Sequence, residues 1–421
     1  MDTLQLALVF LSIVALHICI ADETNQDYTW HIKKIPHIVS SDIVTLKNPS
    51  YEAELQLELN GTCGIECQRT LPPPSLADLE EYLSYETVFD NGTRTMTRVN
   101  VQGWHPETEM EGNKPKHSVR RKRQIYGTDS RFSISDKQFM TNYPFSTAVK
   151  LSTGCSGILI SPKHALTAAH CIHDGKDYIK NGKKLRVGLL KVRSKRGGKR
   201  RKGSKRAKED ESEDADPPKK DRKQKRKSIQ KRSAAAEELT NNLSGKERGS
   251  GAGKPSFQWT RVKAIQIPKG WYRDVSHNMS LDYDYAVLEL KRPHKKKYME
   301  LGISPEADKM PGSRVHFSGF DEDRPGQLVY RFCRVSEEST DLFYQYCDAE
   351  PGSSGSGIYI RLKEPNKKKW RRKIIAIYSG HQWVDVNNQQ QDYNVAVRIT
   401  PLKYAQICYW IHGNHASCKQ G

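Results

Sequence analysis

Three residues far apart in the chain carry side chains that could do nucleophilic chemistry together. His170 lies in Leu166-Thr167-Ala168-Ala169-His170-Cys171, Asp284 opens Asp284-Tyr285-Ala286-Val287-Leu288-Glu289-Leu290, and Ser354 lies in Gly352-Ser353-Ser354-Gly355-Ser356-Gly357. A serine hydroxyl is a weak nucleophile until a neighbouring base takes its proton. Taken singly, each signal is weak: a histidine beside apolar residues is more often structural, and a Gly/Ser run alone reads as a turn. Asp282 competes with Asp284, since residues two apart share a strand face, but the apolar run begins directly after Asp284. Ser353 and Ser356 compete with Ser354, yet only Ser354 has a glycine two before it and another directly after.

Together the segments resemble the chymotrypsin-like serine proteases, in the chain order His, Asp, Ser. The resemblance implies His170 as general base, Asp284 as the group that orients the imidazole and stabilises the imidazolium, and Ser354 as nucleophile. It implies an oxyanion hole from the backbone N–H groups of Gly352 and Ser354, at roughly 3 kcal/mol per donor. It also implies a disulfide from Cys155 to Cys171, where the family ties a strand to the histidine turn. The chemistry needs no cofactor, and the cysteine spacings lack the paired C-x2-C sets of zinc sites.

Departures from the trypsin-like pattern bear on activation. Ser353 stands where an aspartate ordinarily receives the new amino terminus, and Gln124-Ile125-Tyr126-Gly127 only faintly echoes the usual activation sequence. The Gly-Ser-Ser-Gly-Ser form, with Ile375-Ala376-Ile377-Tyr378-Ser379-Gly380, is similar to bacterial glutamyl endopeptidases, which lack that aspartate too. A vertebrate branch of the family, resembling this chain from leader to end, can carry threonine at the nucleophile position; here it is Ser354. Two functions therefore stand: a serine endopeptidase-like protein with a complete triad, acting on a protein substrate, or a pseudoprotease that serves as an extracellular binding module. Asp348, six residues before Ser354, sits where trypsin-like enzymes recognise Arg or Lys, but Glu350 replaces the usual disulfide cysteine, and a surface carboxylate is the plainer reading. His381 likewise reads as a surface residue.

Short β-type runs must position these residues: 145–151, 157–160, 185–192, 257–267, 285–290, 314–317, 328–335, 357–362, 373–378 and 394–399, punctuated by Gly, Pro, Asp and Asn. Only 402–412, introduced by Pro401, reads as a helix. The runs predict an all-β barrel pair or sandwich with a terminal helix; the resemblance specifies a chymotrypsin-like double six-stranded β-barrel over 124–421.

Of the formal charge of +20, the stretch 191–232 carries +13, with 20 Lys and Arg against seven Asp and Glu. Residues 193–254 are too polar to bury a core, so a disordered basic insertion is expected there. The loop bounded by Lys191 and Arg232 fits a heparin-like glycosaminoglycan; nucleic acid is disfavoured because no aromatics interleave to stack on bases.

Residues 1–21 read as a signal peptide, so a secreted, extracellular protein is expected, with no other membrane span. Apart from Cys19, eight cysteines remain, and pairing of sequence neighbours (63 with 67, 155 with 171, 333 with 347, 408 with 418) is the preferred scheme. Asn60, Asn91, Asn242 and Asn278 head glycosylation sequons. Arg120-Arg121-Lys122-Arg123 reads as a processing site cut after Arg123, which makes 22–123 an amino-terminal pro-region. A monomer is expected.

Overall fold

An open sheet edge leaves a row of unpaired backbone groups, which closing the sheet into a barrel removes. The computed structural model of the chain describes residues 28–55, 71–104, 129–191, 256–273, 280–386 and 389–418, with Ile65 and Gln68. Residues 1–192 and 254–421 form one compact unit; the other, 193–253, lies outside the described residues, as do Cys63, Cys67, Asn60, Arg123, Asn242 and Asn278.

The amino-terminal region supplies β1 (His37–Leu46), α1 (Leu76–Leu83), β2 (Tyr85–Phe89) and β3 (Arg94–Gln102). Then follow β4 (Phe132–Ile134), α2 (Lys137–Thr141), β5 (Ala148–Leu151), β6 (Ser156–Leu159), β7 (His164–Thr167), β8 (Arg186–Lys191), β9 (Ser256–Pro268) and β10 (Ala286–Leu290). The last part holds β11 (Glu300–Leu301), β12 (Arg314–Gly319), β13 (Leu328–Glu338), β14 (Leu342–Gln345), β15 (Gly357–Lys363), β16 (Trp370–Val386), β17 (Gln389–Arg398) and α3 (Pro401–His412).

Six strands close the first barrel in the order β5-β6-β7-β10-β9-β8, because β8 pairs with both β9 and β5. Six more close the second, β12-β13-β14-β17-β16-β15, with β15 pairing back to β12. The expected double barrel is therefore present. Lys191 and Ser256 are register partners at the open end of the β8–β9 ladder, so the long insertion leaves and re-enters at one point. That geometry explains why the barrel accommodates it: the loop-closure cost grows only slowly with length. Helix α3 begins with Pro401 in its first turn, as expected, and the structure adds a Thr400 cap and Gly413 at φ 71° after the last turn.

Two barrel strands, β7 and β14, were not among the expected runs. Each is four residues long, and all eight residues are buried, so neither shows the alternation that marks a half-exposed strand. The short helices α1 and α2 were also unexpected. Both are started by side-chain caps: a capping box between Ser75 and Asp78, and Asp136 accepting from the Gln138 and Phe139 N–H groups.

The amino-terminal region is part of the first barrel's sheet. β2 pairs with β9 from Tyr85↔Pro268 to Phe89↔Ala264, and β3 and β1 extend the sheet beyond it. Ile38, Leu79, Leu83, Tyr85, Val88, Val99 and Val101 join the same apolar core as the barrel strands. Tyr85 packs edge-on against Trp410 of α3, and Gln406 Nε2 donates to the Leu83 carbonyl. At the other end, the Cys408–Cys418 disulfide packs with Ile35. The Cys155–Cys171 and Cys333–Cys347 disulfides are also formed, so three of the four expected neighbour pairs are present and the fourth lies outside the described residues.

Burying seven apolar side chains contributes on the order of 10 kcal/mol to holding this region in place. A chain cut after Arg123 is therefore expected to keep its amino-terminal part bound without a covalent link. Gel filtration of the cut, non-reduced protein should give one species containing both parts, separating only in denaturant. Release of a free carboxy-terminal part in native buffer would contradict this docking.

Candidate active site

Strand β7 ends at Thr167, and the chain turns at once through a 3-10 turn, Ala169–Cys171, that carries His170. The Cys155–Cys171 disulfide ties this turn to the start of β6. On the adjacent strand, Ala286 is the register partner of Thr167, so two residues before β10 begins the chain comes level with the turn. Asp284 sits there. Its Oδ2 lies 2.8 Å from His170 Nδ1 and its Oδ1 accepts the His170 backbone N–H at 2.8 Å. One carboxylate thus holds both the ring and the backbone of the histidine, and both side chains are buried. With Nδ1–H donated to the carboxylate, Nε2 is left as the acceptor nitrogen.

Asp282 does not share that face. Residues Ser280–Tyr283 form a 3-10 turn, so the strand alternation assumed from the sequence stops short of Asp282. Its carboxyl instead accepts from Gln68 Nε2 at 3.0 Å, and burial, with the charge of Asp341 adding to it, pushes its pKa well up.

Ser354 lies in the loop before β15. Gly352 (φ +92°) and Gly355 (φ +83°) adopt left-handed conformations that favour glycine. A Cβ on Gly355 would collide with Thr167 Oγ1 and the Ser156 carbonyl and come 3.1 Å from Ala168 N; one on Gly352 would come 2.5 Å from the Phe320 carbonyl oxygen. The serine loop is thus pressed backbone to backbone against the end of β7, two residues before His170. The Ser354 carbonyl accepts from Ser156 N at 2.8 Å. Ser156 Oγ donates to the Gly352 carbonyl at 2.7 Å and accepts from Phe320 N at 2.9 Å, linking three segments.

The N–H groups of Ser353, Gly355 and Ser356 donate to Glu350, Tyr378 and Ser353 carbonyls respectively. Among the described residues no acceptor meets the Gly352 or Ser354 N–H. Two backbone donors therefore remain open on either side of Ser353, whose own hydroxyl turns inward to the Glu350 carbonyl at 2.5 Å.

Asp348 is buried, and its Oδ2 accepts from Ser130 N at 2.9 Å and Ser130 Oγ at 2.6 Å. The adjacent Arg131 uses all five N–H bonds: Nε to Asp129, one terminal nitrogen to Asp321 and Asp323, the other to Asp129 and Asp323, at 2.8–3.0 Å. Its hydrogen bonds hold the Asp129 carboxyl down to about 2. Asp321 is also paired with the buried Arg331, and its neighbour Glu322 donates its N–H to the Pro351 carbonyl at 2.8 Å. Residues 129–131 therefore grip the serine loop from two sides. Sequence reasoning missed Arg131 and Ser156; the acidic Asp321-Glu322-Asp323 run was the available signal. His381, read as a surface residue, is buried with Nε2 paired to Asp392. Asn91 is exposed at the β2–β3 turn, where its Oδ1 accepts from Thr93 N. Cys155, His170 and Cys171 place three potential ligand atoms within 4.8 Å of one another, but both sulfurs are spent in the disulfide and offer no thiolate.

Two expectations follow. Gly355→Ala should cost roughly 3 kcal/mol or more, through overpacking together with the left-handed backbone; an unchanged denaturation midpoint would contradict the close approach. His173, fully buried against Tyr178 and Tyr272, has its imidazole pKa pushed down by burial to about 4. Unfolding restores a value near 6.5, so the unfolded chain takes up the extra proton first as pH falls. The contribution, about 3 kcal/mol, is complete above about pH 6.5 and lost on approaching about pH 4. Denaturant titrations across that window should show this slope, reduced in His173→Gln; an equal slope in both proteins would refute the assignment.

Comparison with known proteins matches residues 135–268 to the family described as Trypsin. The chain is 66% identical over 399 residues to Inactive serine protease 35 of Bos taurus, covering 95% of each chain, and 67% identical over 399 residues to that of Homo sapiens, again covering 95% of each. It is 48% identical over 398 residues to Serine protease 23 of Bos taurus, covering 94% of this chain and 93% of that one. A solved Glu endopeptidase in complex with MPD aligns at a TM-score of 0.41 with 16% identity, over 68% of this chain and 98% of that one. With identity at this level over almost its whole length, the chain belongs to the chymotrypsin-like serine protease family, in the group of inactive serine protease 35 and serine protease 23.

Proposed function

We propose that the chain is a secreted serine endopeptidase-type protein in which Ser354 is the nucleophile, His170 the general base and Asp284 the orienting carboxylate. The observation that carries this reading is the buried two-point grip of Asp284 on His170, which leaves Nε2 as the acceptor nitrogen; Nε2 lies 3.7 Å from Cys171 Sγ, and among the described residues it makes no hydrogen bond with Ser354 Oγ. In this mechanism Ser354 Oγ attacks a peptide carbonyl as its proton passes to His170 Nε2. Asp284 stabilises the imidazolium without taking the proton, and the departing amine receives it. The open N–H groups of Gly352 and Ser354 face the developing oxyanion, and water then releases the acyl group by the same proton route.

A second reading, a pseudoprotease acting as a binding module, is favoured by different observations. Relatives 66% and 67% identical are named inactive. Asp348, the candidate specificity acid, is already engaged by Ser130. On either reading a basic P1 residue draws little support from Asp348, and the loop bounded by Lys191 and Arg232 is proposed to contact a heparin-like polyanion.

Labelling with a fluorophosphonate separates the two readings. The triad reading expects the wild-type protein to label, Ser354→Ala not at all, and Asp284→Asn about 10⁴-fold more slowly. Absence of labelling in folded wild-type protein would sink the catalytic reading and leave the binding module.

A further inference from the structure

Rings and cations alternate on the outer face of the second barrel. Outward positions of β13, β12, β15 and β16 carry Tyr330, Phe332 and Arg334; Arg314 and His316; Arg361 and Lys363; and Trp370 and Arg372, while Tyr359, on the same side of β15, is itself buried. The register sets them side by side: Arg314↔Arg334, His316↔Phe332, His316↔Tyr359, Arg361↔Arg372 and Lys363↔Trp370. Phe132 of β4 extends the row, stacked on Phe332 with centroids 6.2 Å apart. Phe132, Phe332 and Trp370 are 53%, 36% and 41% exposed, well above what a core aromatic shows.

The guanidinium groups lie against these rings rather than against acids. Arg314 is 5.6 Å from the Phe332 centroid, Arg361 5.2 Å from that of Trp370 and Arg372 6.0 Å from that of Tyr143. Among the described residues none of these three arginines forms an ion pair, and the outward positions named above hold no carboxylate. Glu300 and Glu364, at the end of the sheet, pair with Arg371. The positive field is felt by His316: burial lowers its pKa first, and the charges of Arg372 and Arg314 lower it further.

We propose that this face is a binding site for a sulfated polysaccharide, separate from the basic insertion and independent of whether the triad is active. Arginine's planar fork matches the paired oxygens of a sulfate group and is weakly hydrated, so it gives up water at small cost. Exposed rings between the forks supply flat apolar surface for the faces of sugar rings, which a bare charge run cannot offer. The strands lie about 4.8 Å apart, so cations on neighbouring strands form a grid that a linear polymer with charges at short intervals can follow. Single-stranded nucleic acid would also use rings and arginines. The three disulfides favour the sugar polymer, because they belong to an oxidising, extracellular setting.

The test uses the full chain and heparin, with affinity measured against salt. Arg314→Ser, Arg361→Ser and Arg372→Ser combined should weaken binding about tenfold or more near physiological salt and reduce the log–log salt slope by about two to three. A charge-matched control, Lys183→Ser, Lys184→Ser and Lys295→Ser, removes exposed lysines elsewhere on the barrels and should change binding much less. Trp370→Ala should weaken binding with the slope unchanged, the mark of stacking rather than charge. A chain lacking 193–232, whose flanking strands remain paired, should still bind heparin and lose that binding on the triple arginine change. Equal losses in the arginine and lysine variants, no residual binding in the deleted chain, or preference for single-stranded DNA over heparin of equal charge would each overturn the proposal.

Discussion

A backbone contact with no room for a side chain sets the distance between the two barrels at the cleft. Gly355 lies against Thr167 and Ala168, and the Ser156 N–H reaches the Ser354 carbonyl at 2.8 Å. The imidazole hangs from the end of β7 and the hydroxyl from the loop before β15, so this contact decides whether the two share a site at all. Residues at a buried contact of this kind tolerate little change, because protein interiors are close-packed and transmit displacement. Gly355 is therefore a more demanding position than either neighbouring serine. It must supply a left-handed backbone and the absence of a Cβ at once.

Holding the loop still is a separate problem from placing it. Here Ser353 cannot receive a charged amino terminus, and its hydroxyl bonds back to Glu350 within the same turn. The grip comes from outside the loop: Ser130 on Asp348, and Arg131 on the segment of Asp321 and Asp323 that hydrogen-bonds to Pro351. A buried ion cluster of this kind adds little net stability over apolar packing, yet removing one member strands the rest and costs several kcal/mol. Its effect is to select one loop conformation. Because the gripping residues belong to the chain interior rather than to a new terminus, the arrangement does not need a freed amino group.

The parts of the fold that sequence revealed are those with a local signature. The hexapeptide ending at Cys171 and the Gly-Ser-Ser-Gly run each carry their own backbone logic, and the longer strands alternate visibly. Asp284 was preferred to Asp282 by an argument from strand alternation; the preferred residue is the one beside His170, but the alternation does not reach Asp282, which sits on a 3-10 turn and faces Gln68. Fully buried strands such as β7 show no alternation to read. Arg131 was hard to read because, beyond the adjacent Asp129, its partners lie at 321 and 323 and only folding brings that acidic run to it. The amino-terminal region was similarly opaque: its strands are ordinary, and their pairing to β9 spans some 180 residues of sequence.

Charge in this protein is sorted by depth. Buried arginines have acids beside them: Arg131 meets three aspartates, and Arg331 shares one of these, Asp321, through a single terminal nitrogen. Such matching is what a low-dielectric interior demands of any retained charge. On the outer face of the second barrel the demand lapses, and Arg314, Arg361 and Arg372 lie over rings instead of acids. The chain leaves the first barrel after Lys191 and returns at Ser256, and the stretch 191–232 carries 20 Lys and Arg against seven Asp and Glu. The His170–Asp284 geometry and the surface charge therefore rest on different parts of the chain. A change confined to the triad in a relative would leave the cations of the outer face in place, because they stand on the strands of the second barrel and not on the turns that hold His170 and Asp284.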